Sequence, residues 1–207
     1  VSVRNLGWGG DLVHLRDRPT NFPSEAATLA SHTTDVILIC FGMGESYAGK
    51  AGLNDFRGHI KRFIATHKGK KYNGESAVRI VLVSPIAHED HGELSRNRKQ
   101  RNSDLAAYVG AMQQVATSEN VSFVDLYAPT LYLMDDKASP KLPAQGLHLN
   151  AYGYWATGRM VADKLLPGSP TWWLNVDAKS RKATARGAKL SAVKQQGRGL
   201  RFSVEET

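Results

Sequence analysis

The sequence is poor in cysteine and lacks any long hydrophobic run, and both absences narrow the possible structures. One cysteine, Cys40, occurs among the 207 residues, so the chain can form neither an internal disulfide framework nor a zinc site built on cysteines. The longest apolar run covers residues 36–41, far short of the roughly 18 residues that a membrane-spanning helix needs. The single cysteine does not indicate a compartment, because many secreted proteins also have no disulfide bonds.

The composition is that of an ordinary soluble globular protein, with 42% hydrophobic and 22% charged residues. The length fits one domain, or one domain with part of another, and suffices for a full hydrophobic core. Most of the net charge of +8 lies in residues 168–207, which hold eight basic and three acidic residues. No nucleic-acid-binding motif and no interleaved aromatic residues accompany these charges. We therefore interpret them as a solvated surface, and expect no nucleic-acid partner.

Short apolar runs alternate with helical patterns along the first part of the chain. Unbroken or nearly unbroken apolar runs, typical of strands buried on both faces of a sheet, predict strands at 36–41, 78–83 and 121–125. Apolar residues at helical spacing predict helices at about 53–67, 102–118 and 151–165. Residues 1–5 are typical of the end of another strand. This order predicts an α/β fold, a three-layer α/β/α sandwich around a parallel sheet.

The alternation ends near residue 167, which predicts two parts with different structures. Residues 1–167 are expected to form the α/β domain, and 168–207 a basic, β-rich extension or a partial second domain. Within the extension, 172–176 and 200–204 have the pattern of short strands, and a basic loop is expected between them. A disordered basic tail is the alternative.

Functional residues of parallel sheets lie in loops beyond the carboxyl ends of the strands. Three such loops of this chain carry distinctive segments. Residues 5–11 read Asn-Leu-Gly-Trp-Gly-Gly-Asp, residues 42–46 read Gly-Met-Gly-Glu-Ser, and residues 145–153 read Gln-Gly-Leu-His-Leu-Asn-Ala-Tyr-Gly. The segments at 84–88 and 123–126 occupy further strand ends.

In this order and spacing, the segments resemble those of the GDSL/SGNH hydrolase family. The corresponding family blocks read roughly Asn-x-Gly-x-x-Gly-Asp, Gly-x-Asn-Asp or Gly-x-Asn-Glu, and Asp-x-x-His-Leu-Asn-x-x-Gly-Tyr. The resemblance covers about residues 1–166. It implies the SGNH hydrolase fold, with a flavodoxin-like sheet, and the hydrolysis of carboxylic esters. The family block that carries the nucleophilic Ser is not found, so we expect an N-terminally truncated domain.

The resemblance also implies roles for residues at matching positions. His148 corresponds to the base that activates the Ser, and Gly10 to a glycine whose backbone N–H belongs to the oxyanion hole. Gly44 stands where the family has the oxyanion Asn, and Gln145 stands where it has the Asp that orients the base. No metal or other cofactor is implied, and the Ser is expected upstream of this chain.

These two substitutions leave two hypotheses open. The first is a Ser-His ester hydrolase for small acyl esters, including esters of carbohydrates. The second is a catalytically degenerate domain that binds a ligand or supports other domains, because loss of one oxyanion donor alone lowers turnover by about 10²–10³. The resemblance is to a branch found in large secreted bacterial proteins. It therefore implies a secreted or periplasmic location and further domains of the same polypeptide.

Other polar residues carry weaker hypotheses. The histidines of residues 88–91 have acids between them, and we interpret them as the rim of a pocket rather than a metal site. Ser46 lacks the sequence of a nucleophile elbow, and Ser84 is interpreted as a turn residue. Asp135 and Asp136 precede His148 in the chain and are candidates for a substitute triad acid.

Overall fold

Helices and strands alternate along the described chain as far as α4, then α5 follows, and strands alone come after it. The structure is a computed structural model that describes residues 2–89, 97–136, 138–144, 148–166, 173–177, 179–180, 182–197 and 199–206. The helices are α1 (Glu25–Ser31), α2 (Leu53–His67), α3 (Arg98–Glu119), α4 (Tyr127–Asp135) and α5 (Ala151–Leu165), with a 3₁₀ helix at Glu45–Gly52. The strands are β1 (Val36–Ile39), β2 (Arg79–Val83), β3 (Ser122–Val124), β4 (Trp173–Asp177), β5 (Lys182–Arg186), β6 (Ala188–Gln196) and β7 (Gly199–Glu206). The chain divides into two compact units, Val1–Val161 and Ala162–Thr207.

The strands β1, β2 and β3 form one parallel sheet in that order. Ile37 of β1 lies opposite Ile80 of β2, and Val81 of β2 lies opposite Ser122 of β3. Parallel neighbours need a crossover connection, and α2 and α3 provide the two crossovers between these strands. The predicted α/β fold with a parallel sheet is therefore confirmed.

The hydrophobic core of the first unit is built from the sheet and the two crossover helices. α2 presents one apolar face because its large apolar residues recur at helical spacing, as predicted. The buried side chains of this core include Ile39, Phe56, Ile60, Ile64, Ile80, Leu82, Tyr108, Met112 and Val115. Full burial of each such side chain contributes about 1.5–3 kcal/mol to folding.

The burial of β1 differs from the sequence prediction. Ile39 is 1% exposed and belongs to the core, but Leu38, its neighbour on the opposite face, is 42% exposed. β2 is buried on both faces, with Val81 and Leu82 both at 0%. The difference arises because β1 is at the edge of the sheet that the described strands form, whereas β2 lies between two neighbours.

Local structure near the N-terminus also differs from expectation. Residues 2–5 form no strand, because no described strand lies beside them to accept their backbone hydrogen bonds. The sequence patterns did not predict α1, which begins after Ser24, whose Oγ accepts the N–H of Ala27 at 3.2 Å. Only Leu29 of this short helix is buried, so it lacks the repeated apolar spacing that marks a longer one.

The second unit consists of antiparallel pairs, β4 with β5 and β6 with β7. This confirms the β-rich extension, but the basic loop expected between two strands instead forms β5 and β6. In β5 the basic residues Lys182 and Arg186 are exposed and alternate with half-buried alanines, a strand pattern that the high charge concealed. No helix in the described part of the chain is both long and apolar enough to cross a membrane.

Candidate active site

The loop that carries Gly10 is a tight turn in the first unit. Gly10 has a φ of +88°, a left-handed conformation that glycine adopts without the steric cost of a side chain. The Asp11 N–H donates to the Trp8 carbonyl at 3.1 Å, and the Asp11 carboxylate accepts the Trp8 N–H at 2.9 Å. Gly10 is exposed, and a Cβ built there would meet no described atom within 4 Å. The backbone conformation at Gly10 is thus held by hydrogen bonds, and the space beside its Cα is open.

Arg18 anchors this turn from outside. Its two guanidinium nitrogens donate to the two oxygens of the Asp11 carboxylate, each at 2.8 Å. The hydrogen bond from Arg18 holds the pKa of Asp11 below its ordinary value, against the opposing effect of burial. The same guanidinium lies 4.7 Å from the centre of the Trp8 ring. Paired, planar contacts of this kind restrict the loop geometry more than a single ion pair does.

A buried carboxylate joins this loop to the turn after β1. Glu45 is 9% exposed, and its Oε1 accepts the N–H of Val13 at 2.8 Å. Its Oε2 accepts the N–H of Gly42, also at 2.8 Å. Sequence reasoning gave Glu45 no role, although it matches the acidic position of the family's Gly-x-Asn-Glu block. Both oxygens are engaged by charge-assisted hydrogen bonds, so the two loops hold one fixed relative position.

Gly44 lies where these two loops meet. It is exposed and precedes the 3₁₀ helix with φ −64°. A Cβ built on Gly44 would lie 2.6 Å from Cδ2 of Leu12. Leu12 therefore occupies the space that an Asn side chain at this position would need. Any substitution of Gly44 requires the flexible end of Leu12 to move.

His148 lies in a short backbone ladder immediately before α5. Its carbonyl accepts the N–H of Ala144 at 2.7 Å, and Pro143 pairs with Leu149 in an isolated bridge. Asn150 Oδ1 accepts the N–H of Gly153 at 2.9 Å, as a residue capping a helix N-terminus does. The imidazole of His148 is exposed and has no hydrogen bond or ion pair within the described ranges. Gln145 lies outside the described residues.

The structure thus brings together the segments that carry two of the expected site residues. The Gly10 loop and the Gly44 turn meet through the bond between Glu45 and Val13 and through Leu12. His148 has no hydrogen bond to either segment in the described part of the chain. The catalytic roles of Gly10, Gly44 and His148 remain predictions.

Two serines considered as site residues have structural roles. Ser46 is fully buried, and its Oγ donates to the Met43 carbonyl and accepts from Arg101 Nη2, each at 2.7 Å. Ser84 Oγ accepts the N–H of Leu126 at 2.8 Å and so connects the ends of β2 and β3. Neither hydroxyl has a histidine base among its described partners, in agreement with the interpretation of Ser84 as a turn residue and with the lack of a nucleophile elbow around Ser46.

The remaining candidate residues form hydrogen bonds or ion pairs with neighbouring residues of the fold. Asn102 holds the backbone of His88 by accepting its N–H at 2.8 Å and donating to its carbonyl at 2.9 Å, whereas Asp90 and His91 lie outside the described residues. Asp135 forms an ion pair with Arg98. The N–H of Ala138 and the hydroxyl of Ser139 hold the pKa of Asp136 below its ordinary value. No group of three metal-binding side chains occurs among the residues described.

Comparison with known proteins gives one family and several solved structures that are similar to part of this chain. Residues 1–156 match the GDSL-like Lipase/Acylhydrolase family. A lipase/acylhydrolase from Enterococcus faecalis is 19% identical with a TM-score of 0.47, the match covering 65% of this chain and 63% of that one. A catalytic mutant of the acetylxylan esterase Axe2 from Geobacillus stearothermophilus is 16% identical with a TM-score of 0.49, covering 66% and 61%. A gut microbial diltiazem-metabolizing enzyme is 20% identical with a TM-score of 0.49, covering 84% and 43%.

The chain spans only part of these three proteins, between 43% and 63% of their lengths. No curated protein sequence matches it.

Proposed function

Since the chain belongs to the GDSL-like Lipase/Acylhydrolase family, we propose that it is the main part of a domain that hydrolyses small acyl esters, including acyl esters of carbohydrates. His148 is the general base in this proposal, and the Gly10 N–H is a donor to the oxyanion hole. The nucleophilic Ser is supplied by a segment that precedes Val1. The observation that carries the proposal is the pair of 2.8 Å bonds from Val13 and Gly42 to Glu45, which fix the Gly10 loop beside the turn after β1.

The proposed reaction needs only protein groups and water. His148 accepts the Ser proton while the Ser oxygen attacks the ester carbonyl carbon, and the Gly10 N–H donates to the oxyanion that forms. The tetrahedral intermediate collapses, and the protonated imidazole gives its proton to the departing alcohol. Water, activated by the same imidazole, then attacks the acyl-enzyme and releases the acid.

The fixed loop supports this reading because oxyanion donors work best when they need no reorganisation during the reaction. Two anchors hold the chain directly after Gly10, the bond of Asp11 to Arg18 and the bond of Val13 to Glu45. Each anchor is charge-assisted, so the position of the Gly10 backbone is set before a substrate arrives. Gly44 supplies no side-chain donor, and we therefore expect turnover about 10²–10³ below that of a relative with Asn at this position.

A catalytically degenerate domain is the second candidate, and the packing of Leu12 favours it. A Cβ at Gly44 would lie 2.6 Å from Leu12 Cδ2, so the space for the missing Asn is filled by an apolar side chain. In this reading the loops bind a ligand or support other domains of the polypeptide, without turnover.

An ester assay on the polypeptide that includes the residues preceding Val1 distinguishes the two candidates. The substrates are p-nitrophenyl acetate, p-nitrophenyl butyrate and an acetylated xylooligosaccharide. The variants are His148→Ala and, as a matched control, His32→Ala, which alters another exposed histidine. The proposal expects turnover in the unaltered protein and in the control, and its loss in His148→Ala. Equal rates in all three proteins would contradict the role of His148, and the absence of turnover would favour the degenerate domain.

A further inference from the structure

A cavity of about 430 Å³ lies beside α2, and it has no role in the proposed ester hydrolysis. None of Gly10, Gly44 or His148 lines it. Its ionisable lining residues are His14, Arg16, Glu25, His59, Arg62 and His67. Five of these six side chains can carry a positive charge, so the lining of the cavity is predominantly basic.

The single acid of the cavity is already engaged. Glu25 Oε2 lies 3.1 Å from Arg16 Nη2 and 3.4 Å from His67 Nε2. Burial opposes the ionisation of Glu25, but His67 and Arg16 outweigh it and hold the pKa of Glu25 below its ordinary value. Arg62, in contrast, forms no ion pair with any described residue. Its charge therefore faces the cavity without compensation.

Two histidines stack at the wall of the cavity. The rings of His14 and His59 have centres 4.3 Å apart and planes 20° apart. Burial, followed by the charges of His14 and Arg62, lowers the pKa of His59, whereas Asp55 and Glu45 oppose this shift more weakly. The charges of His14 and Arg62 thus outweigh those of Asp55 and Glu45 at this ring, which indicates a net positive potential beside His59.

A third histidine presents a buried polar atom to the same cavity. His67 is 1% exposed, and its Nδ1 is hydrogen-bonded to the Tyr72 hydroxyl at 2.8 Å. Its Nε2 has no hydrogen bond within the described ranges and only the 3.4 Å approach of Glu25. Buried polar atoms are nearly always satisfied in folded proteins, so this nitrogen keeps the carboxylate of Glu25 engaged.

We propose that this cavity binds a small oxyanion, phosphate or carboxylate in class, between Arg62 and the stacked pair of His14 and His59. The guanidinium fork matches two oxygens of such an anion. The imidazole N–H groups supply further donors, and Glu25 stays with Arg16 and His67. The site is independent of the proposed esterase chemistry, and its test uses no ester.

Calorimetric titration with inorganic phosphate, sulfate or acetate, against sodium chloride of equal ionic strength, tests the proposal. Arg62→Gln removes the uncompensated charge from an exposed position. Lys61→Gln is the matched control, because Lys61 is the adjacent basic residue, 50% exposed, and does not line the cavity. We expect saturable binding in the unaltered protein and in Lys61→Gln, and a Kd weaker by about tenfold or more in Arg62→Gln.

Imidazole NMR signals locate the bound anion independently. Phosphate or acetate is expected to shift the ring signals of His14 and His59 and to leave those of exposed His32 unchanged. The anion that saturates these shifts at lower concentration identifies the class of the ligand. Equal binding by Arg62→Gln and the unaltered protein, or no saturable binding beyond that of chloride, would overturn the proposal. His59→Gln repeats the test at a second lining position.

Discussion

The carboxylate of Glu45 accepts the backbone N–H of Val13 at 2.8 Å across 32 positions of sequence. Through this one bond, a loop near the start of the chain is held against the turn that follows β1. The second oxygen of the carboxylate is bound to Gly42, so the side chain has no freedom to release either loop. In the proposed enzyme, Glu45 is therefore a positioning residue for the loop that carries Gly10.

Glu45→Gln is expected to destabilise the first unit by about 1–3 kcal/mol. The amide keeps one acceptor but places an NH₂ group against the N–H of Val13 or Gly42, so one buried donor loses its partner. Urea denaturation followed by tryptophan fluorescence measures the change. Glu75→Gln, at an exposed position, is the control and is expected to leave the midpoint unchanged. Equal midpoints for the two variants would show that the bonds to Glu45 contribute nothing.

Gly44→Asn combined with Leu12→Ala tests whether the oxyanion hole can be rebuilt. Because Leu12 lies 2.6 Å from the Cβ position of Gly44, the single Asn variant must displace it, whereas the double variant has the space. In an active enzyme we expect the double variant to gain about 10²–10³ in kcat over Leu12→Ala alone. An unchanged rate would favour the degenerate domain.

The Asp11→Asn variant is expected to lose less stability in acid than the unaltered protein does. Arg18 lowers the pKa of Asp11 in the folded chain. The Asp11 carboxylate therefore stabilises the fold at pH values above the pKa of about 3.9 that it has in the unfolded chain. That stabilisation is lost as the pH falls through the lowered folded pKa. Melting temperatures from pH 6 to about pH 2 should therefore fall less steeply below about pH 4 in the variant. Asp17→Asn, in the same loop, is the control, and a slope like that of Asp11→Asn would contradict the assignment.

A pair of glycine substitutions in α5 tests the packing next to His148. A Cβ on Gly153 would lie 2.3 Å from the Leu142 carbonyl oxygen, so Gly153→Ala is expected to cost about 1–3 kcal/mol through backbone strain. A Cβ on Gly158 meets no described atom within 4 Å. Gly158→Ala is therefore expected to stabilise the helix by about 0.5–1 kcal/mol. Urea midpoints that move in the same direction in both variants would contradict this packing.

Sequence patterns predicted the features that depend on near neighbours. The apolar run at 78–83, interrupted only by Arg79, predicted a strand buried on both faces. The apolar spacing of α2 predicted its helix with the observed bounds. The Gly10 and His148 segments were recognisable because each is a short stretch of sequence. The strands β5 and β6 were missed because their charges outweighed a weak alternation of small residues.

Contacts between distant residues could not be predicted in this way. Nothing near Glu45 in sequence indicates that its partner is the N–H of Val13, and nothing near Gly44 indicates that Leu12 fills the adjacent space. The pairing of His14 with His59 likewise depends on how the loop before α1 packs against α2. Such relationships are set by tertiary structure, and a single sequence carries no periodic signal for them.

The position of β1 has a consequence for handling the protein. An edge strand presents a row of backbone donors and acceptors that can pair with another chain. β1 is an edge of the sheet that the described strands form. Its four residues are Val, Ile, Leu and Ile, without the lysine, proline or bulge that usually discourages such pairing, and the Leu, Leu38, is 42% exposed. Concentrated preparations of this chain are therefore expected to self-associate strand to strand, and a lysine at position 38 is the first substitution to improve their solubility.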